Sequence, residues 1–374
     1  MKSVQPFLKH PAPDFNRLIQ VLRGQEQSRR AHLIELVIDS EVLQALQERH
    51  LHKKWIPLSA ETAREYYTQI EELYRLLGYD GFVEGVWRTS WVNHPALGSP
   101  KAADTAGALS RGAREWAREG GGLIDSWKSF ESFPWERIHV DYRPYELLSQ
   151  VLKPGMAVFA SSSFFEHVLE NLLGYEGLFF ALADDPKLVE AVFHRWGEKV
   201  LTYYENVVGM DRVGAIWHAD DLGYKTGTIL SPNDLQKYVF PWMKKFADVA
   251  HAHGKLFLLH SCGDLFGNGV IETLIHEVGI DGLHSFQDVI LPISTCMERL
   301  GNRIAILGGV DMDALGRMPE MELRKYIRGI LEKCSPGRFA LGSGNTIANY
   351  IPVENYLVML QELRTWNEES GLTG

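Results

Sequence analysis

The feature that most constrains the fold of this 374-residue chain is a regular alternation of short apolar runs with helical segments. Eight runs of strand length alternate with segments whose apolar residues recur at helical spacing, and no linker divides the chain into halves. Eight such units predict an α/β fold, a (β/α)8 TIM barrel, rather than a doubly wound open sheet. The expected strands are 32–38, 81–86, 157–160, 214–217, 256–260, 282–286, 304–308 and 338–341.

The domain organisation expected from this pattern is simple. An N-terminal arm, 1–30, precedes a single barrel domain, 31–374, with one long insertion of about 89–155 after the second strand. The insertion contains a polar segment that we expect to be a helix, Asp104–Glu119, and an aromatic patch at 127–135. Long excursions of this kind commonly form a lid or a substrate wall, so we expect the aromatic patch to shield a site from water.

Composition excludes several classes of protein. The net charge of −10 argues against binding to nucleic acid or to acidic membranes, and no apolar run approaches the roughly 20 residues of a membrane span. No G-x-G-x-x-G turn or P-loop indicates a nucleotide site. The three cysteines, Cys262, Cys296 and Cys334, are too few and too widely spaced for a disulfide framework, which suits a cytoplasmic protein with free thiols.

The run KLFLLHSCGD, Lys255–Asp264, is the part of the sequence that most clearly indicates a functional site. Residues two apart on a strand point to the same side, so His260 and Cys262 should converge where the fifth strand ends. An imidazole and a thiol at this spacing form half of a tetrahedral zinc site. Taken alone, the pair also fits a capped strand end with a buried cysteine and a hydrogen-bonded histidine.

Polar residues follow several other strands, and barrel enzymes place their reactive groups at these carboxyl ends. Each residue alone also fits a cap, a turn or a solvated loop, and the joint pattern is what indicates a site. His218 and Asp220 repeat the spacing of His260 and Cys262 on the neighbouring strand, so we expect Asp220 or Asp221 to reach the same metal or to orient His260. The catalytic candidates are Asp220, Asp221, His260 and Cys262, with Asp220, His260 and Cys262 as metal ligands. The candidates for substrate binding are Glu84, Arg88, His218, Gln287, Asp311, Ser343 and Asn345. His284 also lies at a strand end.

The other two cysteines do not fit this site. Cys334 precedes the eighth strand, which places it at the opposite end of the barrel, about 20 Å from the rim at about 3.3 Å per strand residue. Cys296 lies inside a predicted helix.

Five motifs in order resemble the uroporphyrinogen decarboxylase superfamily, a barrel family that also contains zinc-dependent methyl- and alkyltransferases. The resemblance is strongest over 200–365, and residues 31–43 resemble the first strand and turn of the family. The motifs are Asp220–Pro232, Lys255–Asp264, Gly279–Gln287, Ile306–Asp311 and Leu341–Tyr356.

For the transferase branch, the resemblance implies that His260 and Cys262 are zinc ligands. That branch takes a third ligand from a cysteine after the eighth strand, where this chain has Ser343, a poor zinc ligand. Either Asp220 or Asp221 then completes the site, or the chain binds metal weakly or not at all.

The function implied by this branch is transfer of a methyl group between a corrinoid (a methylcobamide) and a thiol or related acceptor, with zinc holding the thiolate. The expected partners are a small-molecule substrate, a corrinoid protein and a second copy of the chain in a homodimer.

Two alternatives remain open. One is a metal-free decarboxylase acting on a tetrapyrrole or other carboxylate, with Asp220 or Asp221 stabilising a cationic intermediate. That branch carries arginines just after the first strand, and the turn at Asp39 has none. The other is a non-enzymatic partner of a corrinoid protein.

Overall fold

Eight parallel strands form the core of the protein in a computed structural model that describes residues 6–27, 29–85 and 91–371. Their hydrogen-bonded order, β1-β8-β7-β6-β5-β4-β3-β2, is the order of strands around a (β/α)8 barrel, which confirms the predicted fold. The strands are β1 His32–Leu33, β2 Gly81–Glu84, β3 Ala157–Ala160, β4 Val213–Ala219, β5 Phe257–His260, β6 Gly282–His284, β7 Ala305–Val310 and β8 Phe339–Ser343.

The contact between β1 and β2 differs from the others, because no ladder joins these two strands within the described part of the chain. A buried ion pair lies beside this seam, where His32 Nδ1 is 2.6 Å from Asp80 Oδ2. The first strand is also shorter than expected from 32–38. After Leu33 the chain leaves the ladder, and only an isolated bridge from Ile38 to Ile347 continues it.

Helices follow most strands and cover the outside of the barrel. Several begin at residue types that commonly cap helices. The Asp185 side chain accepts the Leu188 N–H, and the Ser231 side chain accepts the Asp234 N–H. The α-helices are α1 Phe15–Leu22, α2 Ser40–Leu46, α3 Ala63–Leu77, α4 Trp127–Ser132, α5 Arg143–Val151, α6 Phe165–His167, α7 Tyr175–Asp184, α8 Pro186–Val207, α9 Pro232–Asp234, α10 Phe240–Ala252, α11 Val270–Thr273, α12 Ile293–Leu300, α13 Met312–Arg317, α14 Glu320–Cys334 and α15 Val353–Glu369. Five-residue π-helical turns adjoin four of them, at 47–51, 168–172, 235–239 and 274–278.

The N-terminal helix α1 packs against the strands. Its apolar face belongs to the same buried cluster as Trp217 of β4 and Leu258 of β5. The Phe15 ring lies 5.0 Å from the ring of Phe159 in β3, and the Asp14 N–H donates to Asp80. Because these contacts lie near the starts of β2 and β4, α1 covers the amino-terminal end of the barrel and leaves the opposite rim open for chemistry.

The insertion after β2 contains short strand pairs. Trp91–Val92 pairs with His139–Val140, and Lys101–Ala103 pairs with Ala113–Glu115. The second pair is a hairpin, so the helix predicted over Asp104–Glu119 is wrong.

The turn of this hairpin is built on Asp104. Its carboxylate accepts the N–H groups of Ala106 and Arg111 and the side-chain amide of Asn349. Gly112, at a φ of +81°, adds a conformation that a helix does not provide.

Among the residues that the structure describes, no helix is both long enough and apolar enough to cross a membrane.

Candidate active site

The strand register determines which side chains meet at the rim. His260 on β5 lies opposite Ala219 on β4, and Leu259 lies opposite His218. Since side chains alternate between the two faces of a sheet, Asp221, two residues after Ala219, belongs to the same face as His260 and Cys262. The Cys262 N–H donates to Asp221 Oδ1 at 2.7 Å, which fixes this carboxylate beside the cysteine.

Asp221, His260 and Cys262 form a compact cluster whose ligand-type atoms all lie within 4.8 Å of one another. His260 Nε2 is 3.4 Å from Asp221 Oδ1 and 3.8 Å from Cys262 Sγ. Around a tetrahedral zinc ion with bonds of about 2.0 Å to nitrogen and oxygen and about 2.3 Å to sulfur, neighbouring ligand atoms lie about 3.3–3.6 Å apart. The donor set and its spacing therefore fit zinc with little rearrangement, and three protein ligands leave one position for a substrate.

A chain of hydrogen bonds behind His260 defines which of its nitrogens faces the cluster. His284 Nε2 lies 3.0 Å from the carbonyl oxygen of Ser343, which can only accept, so this nitrogen carries a proton. Burial and the neighbouring His260 lower the pKa of His284 well below its usual value, so its Nδ1 is an acceptor. That atom lies 2.7 Å from His260 Nδ1, which must therefore donate. Nε2 is therefore the nitrogen of His260 that faces Cys262 and Asp221, and it offers a lone pair to a metal that displaces its proton.

The Cys262 sulfur has two polar neighbours besides His260. The Asn345 amide donates to Sγ at 3.1 Å, and the Ser285 hydroxyl lies 3.4 Å away. Burial, followed by the charge of Asp221, raises the pKa of the thiol well above its usual value. The thiolate thus needs a positive charge beside it, which a bound cation would supply.

Asp221 is the ionised member of the cluster. Burial opposes its ionisation, but a protonated His260 beside it and the Cys262 N–H lower its pKa on balance. A bound cation would take the place of the His260 proton and supply the same positive charge to this half-buried carboxylate.

Asp220 has a different role from the one expected of it. Its buried carboxylate accepts the N–H groups of Phe164, Phe165 and Glu166 at 2.9–3.1 Å and lies 2.8 Å from His218 Nε2. It therefore caps the start of α6, and no ligand atom of Asp220 belongs to the cluster. The geometry does not support Asp220 as a metal ligand, and the alternative left open in the sequence, Asp221, occupies that place.

His218 also lies away from its expected position at the rim. Its side chain is fully buried, with Nδ1 2.9 Å from the Tyr204 hydroxyl on α8 and its ring against Phe246 of α10. The alternation of faces along β4 explains this placement, because His218 points to the helices while Trp217 and Ala219 belong to the inner cluster.

Ser343 is buried at the end of β8 and is paired with a carboxyl group. Its N–H donates to Glu35 Oε1 at 2.7 Å, and its hydroxyl lies 2.7 Å from Glu35 Oε2. Burial raises the pKa of Glu35 to about 8, although both contacts to Ser343 lower it. The serine side chain is thus held by Glu35, while its carbonyl oxygen orients His284.

The remaining substrate-binding candidates are dispersed. Glu84 is buried and accepts a hydrogen bond from Tyr67 at 3.3 Å. Asp311 caps α13 by accepting the N–H groups of Asp313 and Ala314 and also accepts that of Asp288. The carbonyl of Gln287 accepts the N–H groups of Ile290 and Leu291. Arg88 lies outside the described residues. Among the described members of this set, Asn345 is the one with a hydrogen bond to the cluster.

A cavity of about 1220 Å³ lies beside the rim, and it is lined by the βα connections together with the insertion. Residues between Ala96 and Glu119 supply the insertion side of the wall, which includes Arg111, Arg114 and Trp116. The aromatic patch at 127–135, expected to shield the site, does not belong to this wall.

Two carboxylates on the barrel side of the cavity, Glu166 and Glu170, were not found from the sequence. Burial, then the charges of Asp221 and of their neighbours, raises the pKa of Glu166 well above its usual value and that of Glu170 to about 7. In the sequence they are ordinary polar positions of an amphipathic segment, so no pattern distinguishes them. Ser285 was missed as well, and His284 was named at a strand end without a role, since their roles depend on contacts between neighbouring strands.

Eight parallel strands in barrel order, with a His-Cys-Asp cluster at their carboxyl ends beside a large cavity, are the arrangement typical of barrel enzymes. The chain belongs to the uroporphyrinogen decarboxylase (URO-D) family, whose model matches residues 150–366, and it is accordingly an enzyme of that superfamily. This confirms the resemblance expected from the five motifs. A sequence comparison with curated proteins finds no match.

Two solved structures share the fold over nearly the whole chain. A methyltransferase from Methanosarcina mazei is 17% identical, with a TM-score of 0.67, and the match covers 93% of this chain and 97% of that one. A Listeria monocytogenes protein described as a vitamin-B12-independent methionine synthase is 13% identical, with a TM-score of 0.50. This match covers 92% of this chain and 98% of that one. Identities this low show a common fold alone.

Proposed function

We propose that the enzyme transfers a methyl group between a corrinoid and a thiol, with zinc held by Asp221, His260 and Cys262. The observation that carries this proposal is the hydrogen-bonded series from the Ser343 carbonyl through His284 to His260. It makes Nε2 the nitrogen of His260 that faces a thiol and an ionised carboxylate, where a metal can displace its proton. The two neighbours described as a methyltransferase and a methionine synthase are consistent with methyl transfer.

When bound, zinc would lower the pKa of a substrate thiol and keep it as a thiolate nucleophile near neutral pH. The residues of this chain supply the surroundings of that step. The Asn345 amide donates to Cys262 Sγ and withdraws negative charge from it. Glu170 lines the cavity, and its pKa of about 7 suits it to accept the proton that the substrate thiol releases. Glu166, whose pKa is raised further by burial and by Asp221, is protonated near neutral pH.

Zinc content tests the proposal directly. Purified wild type should contain about one zinc per chain, and Cys262→Ala should lose most of it because a three-ligand site rarely survives with two. Cys296→Ala is the matched control, since this cysteine is buried in α12 and should leave the zinc content unchanged. Equally negligible zinc in wild type and Cys262→Ala would end the metal-dependent proposal.

One observation supports the metal-free decarboxylase alternative, because Arg111 and Arg114 of the insertion line the cavity and could bind substrate carboxylates. Arg111, however, is already paired, at 2.6 Å with Asp39 and 2.9 Å with Glu41. One remaining guanidinium is a poor match for a tetrapyrrole with many carboxylates. Activity that survives complete chelation, together with tight porphyrinogen binding, would favour this alternative.

A corrinoid protein as methyl donor and a homodimeric assembly stay predictions from the family resemblance. An assay with methylcobalamin and a thiol, followed by the change in corrinoid absorbance, separates the transferase from both alternatives.

A further inference from the structure

One cation in the cavity wall lacks the partner that a half-buried charge normally has. Arg114 lies on the hairpin strand Ala113–Glu115, opposite Ala102, and lines the cavity. Its Nε is buried and makes no hydrogen bond, and no carboxylate of the described ranges lies within 4.0 Å of its guanidinium. Arg111, three residues earlier, is held between two carboxylates. A half-buried guanidinium that forms no ion pair within the described ranges is available to bind an anionic group of a ligand.

The position of Arg114 is nevertheless defined. Its guanidinium carbon lies 5.1 Å from the centre of the Trp116 ring, a cation–π contact. The Trp116 indole N–H donates to Glu119 Oε1 at 2.9 Å, which fixes the ring. The Arg114 guanidinium therefore has a defined position in the cavity wall. Its planar geometry there favours two hydrogen bonds to a carboxylate or similar anion.

The rest of the wall indicates the shape of the ligand. Four aromatic side chains, Tyr66, Trp116, Tyr175 and Tyr224, line the cavity, and its volume of about 1220 Å³ exceeds what a small aliphatic thiol fills. Flat ring systems bury the most apolar area against such walls.

The cavity also approaches the cluster. Thr346 lines the cavity, and it directly follows Asn345, whose amide donates to Cys262 Sγ. A ligand bound at Arg114 can thus extend toward the cluster at the rim.

We propose that Arg114 and Trp116 form a recognition site for the substrate, and that this substrate is an aromatic organic anion whose charged group binds Arg114. The inference depends on the proposed function only in taking this cavity as the substrate site. Its test requires neither zinc nor methyl transfer, so the two proposals can fail separately.

Calorimetric titration of zinc-free and zinc-loaded protein with 2-naphthoate, its neutral counterpart 2-naphthamide and the small anion ethanesulfonate tests the site. Wild type should bind 2-naphthoate at least about tenfold more tightly than 2-naphthamide, the preference that one charge-assisted pair provides. It should also bind 2-naphthoate more tightly than ethanesulfonate.

Variants locate the effect. Arg114→Gln should abolish the preference for naphthoate over naphthamide, and Arg114→Lys should retain part of it because the charge remains without the planar fork. Arg137→Gln is the matched control, an exposed arginine of the same insertion that does not line the cavity, and it should bind as wild type does. Thermal unfolding of each variant verifies that the fold is intact.

The proposal is overturned by equal affinity of wild type for naphthoate and naphthamide, or by no detectable binding of naphthoate. It is equally overturned if Arg114→Gln, folded as wild type, keeps the preference, or if ethanesulfonate binds as tightly as naphthoate.

Discussion

At the scale of single residues, the tautomer of His260 is the property on which metal binding depends. His284 accepts the proton of His260 Nδ1, so His284→Leu removes the acceptor and lets the imidazole rotate or change tautomer. We expect this substitution to weaken zinc binding by roughly 10–100-fold, as measured by competition with a chromogenic chelator.

His139→Ala serves as the control, because this histidine is exposed in the insertion and its ring lies 3.0 Å from the nearby Arg137 carbonyl. An unchanged zinc affinity in His284→Leu would show that the neighbouring histidine does not orient His260.

The two adjacent aspartates should separate metal binding from stability. Asp221→Asn should lose zinc, because the amide is a weaker ligand, and should leave the free energy of unfolding of the zinc-free protein nearly unchanged. Asp220→Asn should keep zinc and lose about 3 kcal/mol, because the amide leaves one oxygen to serve three backbone N–H groups and His218. Zinc analysis and urea unfolding measure the two effects, and the reverse pattern would assign the ligand to Asp220.

Which side chains lie together could be predicted from the sequence wherever both residues belong to the same strand. His260 and Cys262 meet because they are two apart on β5, and this spacing is visible in the chain. The choice of Asp221 over Asp220 depends on the register between β4 and β5, which no single strand contains. For the same reason His284 had no assigned role, since its partners lie on β5 and β8.

At the scale of elements, the strands and long helices could be predicted because hydrophobic periodicity and capping residues specify them locally. The hairpin at 101–115 could not be predicted in this way, because it depends on the contact of Asp104 with Asn349, which is distant in sequence. Its glycines, Gly107 and Gly112, weaken any helix, and Gly112 lies in the left-handed region.

The hairpin also supports a prediction about stability. Asn349→Ala removes the side-chain amide that donates to Asp104 and to the Leu109 carbonyl. The free energy needed to open the hairpin should therefore be lower in this variant. We expect faster amide hydrogen exchange over 101–115 with a loss of global stability of about 1 kcal/mol. Unchanged exchange in this segment would show that the hairpin is held by other contacts.

At the scale of the whole molecule, Glu35 should make stability depend on pH. Its pKa is raised from 4.5 in the unfolded chain to about 8 by burial, so the folded protein binds one more proton between these values. Stability is therefore full below about pH 4.5 and is lost as pH rises, by about 1.4 kcal/mol per pH unit for one proton.

Urea unfolding at about pH 5.5, 6.5 and 7.5 measures this contribution as the difference between wild type and Glu35→Gln, which cannot ionise. The stability of wild type should fall relative to that of the variant as the pH rises. Parallel stabilities over this range would show that Glu35 is ionised in the folded state.

The cluster and the insertion side of the cavity wall come from different parts of the chain. Asp221, His260 and Cys262 follow barrel strands, whereas Arg111, Arg114 and Trp116 belong to one excursion between β2 and β3. Under the proposed function, the reacting groups and one side of the substrate-binding surface are therefore encoded separately. Grafting a different excursion between β2 and β3 should change which substrate binds while leaving the rim residues in place.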